Sequence, residues 1–299
     1  MVFADCIVYP FGDICNFSHK KRKKGLFMTV RKKLIFLAAA FLSGVLISWM
    51  YVNPYGGRLP FSELVLQLSG SSGTFPLGRS LNELMSYSIR LIPSYIFECL
   101  FGIYFYQRFC TASVYIFSRY PNRVQWYMKE MAAIAVYSLL FYEINLLGAI
   151  LTAGCRYQIV LDRAGGGLLL YHLLFYSLWT WSMCMIINLL ALYTGSQRAF
   201  SIVIGGQAVL TAALNFGSGG HTAVSSLLIR MNPMAHLVLG WHAGGFLAEQ
   251  WETEPVDWTL SFVGSLGLFL IAAVFIVIGG CCLIRKYELL VENMEMGVY

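Results

Sequence analysis

Few residues able to do chemistry stand inside the apolar stretches of this chain. Glu98 lies at the middle of one such stretch, and Glu143 lies mid-way in the next with Asn145 close by. Arg90 precedes Glu98 by roughly two helical turns, and His172 and Asn188 lie in a fourth stretch. A charged side chain in hydrocarbon costs a few kcal/mol. These groups are therefore expected to face a bundle interior, a partner subunit or a water-filled path. Two roles stay open for them: a polar clamp between helices made by Glu98, Glu143 or Arg90, or direct handling of a substrate or ion.

The usual catalytic spacings are missing. The chain has no Gly-Lys dipeptide, so it carries no P-loop, and no His-Glu dipeptide, so it carries no HExxH zinc motif. No GxSxG elbow occurs. Of the five histidines, His221, His236 and His242 share one segment with Glu249, Glu252, Glu254 and Asp257. Three or four convergent ligands make a zinc site, and spacings of fifteen and six residues are not a metal signature. These histidines read as interfacial or lumen-facing. No catalytic residue, metal site or bound cofactor is expected on this chain.

The elements that must position these groups are membrane helices. Hydrophobic residues make up 58% of the 299 residues and charged residues 12%, against about 25% charged in soluble domains. Six segments reach the roughly 20 residues that a bilayer core requires: Leu34–Asn53, Met85–Gln107, Met131–Gly154, Gly167–Tyr193, Phe200–Phe216 and Trp258–Ile284. The expected fold is all-α and polytopic, with six transmembrane helices over 28–290. Segments 1–33, 108–130, 194–199 and 285–299 hold all eight lysines and seven of the thirteen arginines, which places them and both termini in the cytoplasm. The net charge of +6 does not point to nucleic acid. Eight of the 21 basic residues lie between Lys20 and Lys33, which flanks a membrane span.

Residues 1–27 show no periodicity and contain HKKRKK, so they are expected to be disordered or a non-native extension before Met28. Residues 291–299 form a cytoplasmic tail. Cys281-Cys282 beside Arg285 and Lys286 is a candidate palmitoylation site. Only Cys155 falls on the outer side, so no external disulfide forms within one chain. Outside the membrane, Gly56-Gly57, Pro60 and LSGSSGTFPLG break 54–84, leaving a short helix near Phe61–Leu68. The cytoplasmic segment 108–130 reads either as a short amphipathic surface helix broken at Pro121-Asn122 or as a plain basic loop. In 217–257, two short helices, Thr222–Arg230 and Met234–Leu247, are expected to dip into the membrane around a break at Asn232-Pro233.

Several of these features together resemble the membrane-spanning permease subunit of a bacterial type-2 ABC exporter. Met231-Asn232-Pro233-Met234 followed by Leu237 resembles the Asn-Pro element that this family often carries before its last span. Tyr115-Ile-Phe-Ser-Arg119, Asn122-Arg123 and Trp126-Tyr127 are similar to the loop between the second and third spans of small bacterial permeases. The run Thr29–Lys33 is too short for the connecting helix that the family places before its first span.

The resemblance implies a cytoplasmic coupling helix over 111–126 and external re-entrant helices around Asn232 and Pro233. Arg119 and Arg123 would seat the coupling helix on a separate ABC ATPase subunit or on lipid phosphates, and Tyr115, Phe117 and Trp126 would form its apolar dock. ATP and Mg would be bound by that partner, and a second permease subunit, identical or homologous, would complete the path. The implied location is the bacterial plasma membrane, and the implied cargo is a peptide, antibiotic or amphipathic small molecule. The alternatives are a self-contained secondary transporter or channel using Glu98 and Glu143, a membrane-embedded enzyme, and an assembly or sensory subunit.

Overall fold

The computed structural model describes residues 30–50, 57–70, 81–115, 123–216, 227, 230–242 and 260–286. The extension over 1–27, the tail over 291–299, and Phe117 and Arg119 lie outside these residues. The described chain is mostly helical. Its helices are α1 (Val30–Met50), α2 (Phe61–Ser69), α3 (Leu81–Arg90), α4 (Ile92–Phe101), α5 (Tyr104–Tyr115), α6 (Arg123–Arg156), α7 (Arg163–Thr194), α8 (Ser196–Phe216) and α9 (Phe262–Lys286).

Four of them, α1, α6, α7 and α9, are long and apolar enough to cross a membrane. They correspond to the expected first, third, fourth and sixth spans. The fifth is α8, which has 21 residues but carries Gln197, Arg198, Gln207 and Thr211. The second differs from expectation, because α3, α4 and α5 replace one continuous helix.

The cause of each break is local. Pro93 stands in the first turn of α4 and has no N–H to give to the preceding turn, so α3 ends at Arg90. Between α4 and α5, Asn188 of α7 enters the broken ladder. Its Nδ2 donates to the carbonyl of Phe101 at 3.2 Å, and its Oδ1 accepts from the N–H of Tyr106 at 3.0 Å. Backbone groups freed inside a bundle need such partners, because no water replaces them.

Small residues let α1 and α6 approach closely. A side chain at Gly44 would collide with the Asn145 carbonyl, and one at Gly148 would meet the Phe41 carbonyl at 2.5 Å. Asn145 then reaches across, with Nδ2 donating to Ser43 Oγ at 2.8 Å. Against this pair sits an aromatic column of Phe36, Phe97, Phe101 and Phe141. Phe97 and Phe101 stack at 4.6 Å, and Phe36 meets Phe141 at 5.6 Å.

Two three-residue strands, β1 (Arg58–Pro60) and β2 (Gln158–Val160), pair in parallel with Leu59 opposite Ile159. The sequence reading contained no strand. Asp162 links the same region, with Oδ1 accepting from the Ser62 N–H at 2.9 Å. It thereby ties the start of α2 to the start of α7. The helix expected near Phe61–Leu68 is α2.

Candidate functional site

Glu98 is fully buried where α4, α6, α7 and α8 meet. Ser94, one turn earlier on α4, donates from Oγ to Glu98 Oε1 at 3.1 Å. Gln207 of α8 donates from Nε2 to Glu98 Oε2 at 2.8 Å. Ser94 Oγ lies 2.8 Å from Thr180 Oγ1, and Thr180 Oγ1 lies 2.8 Å from the Tyr142 hydroxyl. Each hydroxyl has one proton, and that of Ser94 is committed to Glu98. The chain therefore has one direction: Tyr142 donates to Thr180, Thr180 to Ser94, and Ser94 to Glu98.

Gln207 Oε1 is buried and without a partner. A half-turn of the amide would present this oxygen to Glu98, where it could accept from the protonated acid. One Glu–Gln pair can thus serve both protonation states of the carboxyl. The arrangement is a polar clamp across four helices with a carboxyl at its end.

The other intramembrane candidates do not converge on Glu98. Arg90 donates from Nη2 to Gln67 Oε1 at 3.3 Å, and Gln67 Nε2 donates to Glu63 Oε1 at 3.0 Å. His172 is buried against Tyr176 at 4.6 Å between ring centroids, with Nδ1 unpartnered. Glu143 stands on the outer face of α6, exposed.

The segment around Asn232 and Pro233 is packed into the bundle. Asn232 Nδ2 donates to the Leu210 carbonyl at 2.7 Å, and its Oδ1 accepts from the Met234 N–H at 2.9 Å. Tyr87 OH donates to the Met234 carbonyl at 2.7 Å. The described part of Met234–Leu247 consists of two single 3₁₀ turns, Ala235–Leu237 and Leu239–Trp241, rather than one helix. Most of Thr222–Arg230 lies outside the described residues.

His221 also lies outside them, while His236 and His242 are described and buried. Both rings grip α9 through one hydroxyl. His236 Nδ1 is 2.7 Å and His242 Nε2 is 2.8 Å from Ser265 Oγ. Their other nitrogens face carbonyl oxygens, of Arg230 at 2.8 Å and of Val238 at 3.0 Å. Burial pushes both rings below the ordinary histidine range, His242 to about 4.

At the other end of α6, Arg108 of α5 pairs with Glu130 at 2.6 Å. Trp126 is half-buried against Phe105 at 5.4 Å and Phe109 at 6.0 Å. Tyr115 closes α5, and Arg123 opens α6. The described ends of the segment expected to form a coupling helix, 111–115 and 123–126, therefore belong to α5 and α6, two helices joined by an ion pair and an aromatic cluster.

No family model, curated protein or solved structure matches this chain. Among the described residues no cluster of His, Cys, Asp or Glu is placed to hold a metal.

Sequence reasoning found Glu98, Asn145 and Asn188 because polar groups are rare in apolar stretches. It missed Ser94, Thr180, Tyr142, Gln207 and Ser265 as network members. It also missed the Arg108–Glu130 pair, although these two residues bound the 108–130 segment. Their opposite charges at its two ends were the available signal.

Proposed function

We propose that this chain is the transmembrane permease subunit of an ATP-driven type-2 ABC exporter, with six spans and ATP hydrolysis on a separate partner. The observation that carries the reading is the seat of the Asn232-Pro233 element. It is inserted between the fifth and sixth apolar helices, α8 and α9, and fixed to α8 through Asn232 and to α9 through His236. The Arg108–Glu130 pair and the Trp126 cluster support it at the basic side. They make a rigid base from which 111–126 can transmit a push into α5 and α6.

In this mechanism two such subunits enclose a path, and two ATPase subunits bind below. Closure on ATP acts on the 111–126 segment and shifts the balance between inward- and outward-facing bundles, because only one arrangement fits the closed ATPase dimer. Breaking and remaking the Glu98–Gln207 bond between α4 and α8 is one way for the bundle to have two arrangements. The cargo class is a peptide, antibiotic or amphipathic small molecule.

The test is co-purification from native membranes in mild detergent. A stoichiometric soluble ATPase is expected with the chain. Arg119→Glu with Arg123→Glu should release it while the chain stays in the membrane. If the chain is recovered folded with no nucleotide-binding partner, the permease reading fails.

A second reading has one observation in its favour. The Glu98–Gln207 pair can accept and release a proton without losing its bond, as a proton-linked secondary transporter would need. Glu143 does not join that network, and internal repeat symmetry, frequent among such transporters, is absent from the sequence.

A further inference from the structure

Among the described residues, Glu143 is exposed, and no hydrogen bond or ion pair reaches it. Its neighbours on the same face of α6 are Val136, Leu140, Leu147 and Leu151, which are 40–58% exposed. The surface is thus an apolar stripe with one carboxyl at its centre. Glu143 lies twelve residues from Met131 and eleven from Gly154, so at 1.5 Å per residue each interface is about 16–18 Å away along the helix. A glutamate side chain is too short to snorkel that distance.

We propose that this stripe packs, within the membrane, against a helix of a different chain that presents a lysine or arginine at the depth of Glu143. A carboxyl held in lipid at mid-depth is unfavourable by a few kcal/mol, and intramembrane charges characteristically pair. Lipid headgroups lie at the interfaces and do not reach it. A second copy of this chain does not fit either. The six apolar stretches contain no lysine and one arginine, Arg90, which is engaged with Gln67. A two-fold contact at this face would also set carboxyl against carboxyl. The remaining occupant is a membrane polypeptide of another sequence with a basic residue in its span. The inference needs only that α6 crosses a membrane, and stands apart from the permease reading.

The experiment uses the full chain in native membranes, with a photoreactive benzoylphenylalanine at position 147 and a second, differently tagged copy co-expressed. The expected product is an adduct with another polypeptide, mapped to an apolar segment that contains Lys or Arg. Glu143→Leu should lower its yield about tenfold, the scale of one strong interhelical polar contact. No described residue hydrogen-bonds or ion-pairs with Glu143, so Glu143→Leu should leave thermal unfolding of the purified protein unchanged. Adducts with lipid alone, adducts between the two tagged copies, or a yield indifferent to Glu143→Leu would each overturn the proposal. ATPase recovery is scored in the same preparation. ATPase without the adduct removes this inference alone, and the adduct without ATPase removes the permease reading alone.

Discussion

Glu98 has two neutral donors, Ser94 and Gln207, and among the described residues no cation pairs with it. Interior hydrogen bonds contribute modestly while made, but an orphaned buried partner is expensive. Glu98→Ala should therefore destabilise the protein in detergent by about 1–3 kcal/mol, since it leaves the Ser94 hydroxyl and the Gln207 amide facing a void. Gln207→Ala should cost a similar amount. Because the two residues share one bond, the double variant should cost clearly less than the sum. Denaturant unfolding of the four proteins measures this coupling. Additive losses would mean that the clamp between α4 and α8 is not a stabilising contact. A further variant separates a structural from a transporting Glu98: a proton-linked role requires Glu98→Gln to abolish transport while leaving stability nearly intact.

The junction between the Asn232–His242 segment and α9 depends on a proton count. Four short contacts run from the Arg230 carbonyl through His236, Ser265 and His242 to the Val238 carbonyl. Two neutral rings and one hydroxyl supply three protons to fill them. A fourth would complete the chain, but burial opposes a cation there and pushes both rings down, His242 to about 4. The charged or titratable neighbours are Arg230, which offers its carbonyl, and Tyr87, which holds the Met234 carbonyl. Unfolded histidines titrate near 6.5. The unfolded segment therefore takes up protons before the folded one as pH falls. The junction's stability should be full above about 6.5 and decline toward pH 4. Hydrogen exchange over 232–242, corrected for intrinsic rates, should show lower protection at pH 5 than at pH 7.5. Equal protection would show that these rings are not held neutral by burial. None of this was legible in the sequence, where His236 and His242 are 23 or more residues from Ser265. Length and apolarity did reveal α1, α6, α7 and α9, and a helix between glycine- and proline-rich flanks revealed α2. The three-part second span was not legible, because its second break depends on Asn188, 82 residues from Tyr106. Ser94, Thr180 and Tyr142 carry no charge to mark them, so only their contacts reveal the network.

At the scale of the molecule, the helices that cross carry reporters of their own orientation. Helix α6 has 34 residues, about 51 Å at 1.5 Å each, so it outruns a hydrocarbon core of about 30 Å. The Arg123–Glu130 turns then emerge on one side, and Cys155 with Arg156 on the other. Arg156 donates to the Trp49 carbonyl at 2.9 Å and lies over the Trp49 ring, fixing the far end of α1 at the same surface. Cys282, near the end of α9, lies on the opposite side if α6 to α9 each cross once. Both thiols are exposed. Under the proposed orientation, with the lysine-rich side cytoplasmic, Cys155 is outside and Cys282 stands at the cytoplasmic end of α9. Single-cysteine variants in intact cells should therefore react with a membrane-impermeant maleimide at Cys155, and at Cys282 only after permeabilisation. This also tests the span count, because one fewer crossing between α6 and α9 puts both thiols on the same side. Labelling of both in intact cells would show that one of α7, α8 and α9 does not cross, and labelling of Cys282 alone would invert the molecule. Either result would move the 111–126 segment or the α8–α9 hairpin to a side where the proposed ATPase contact is impossible.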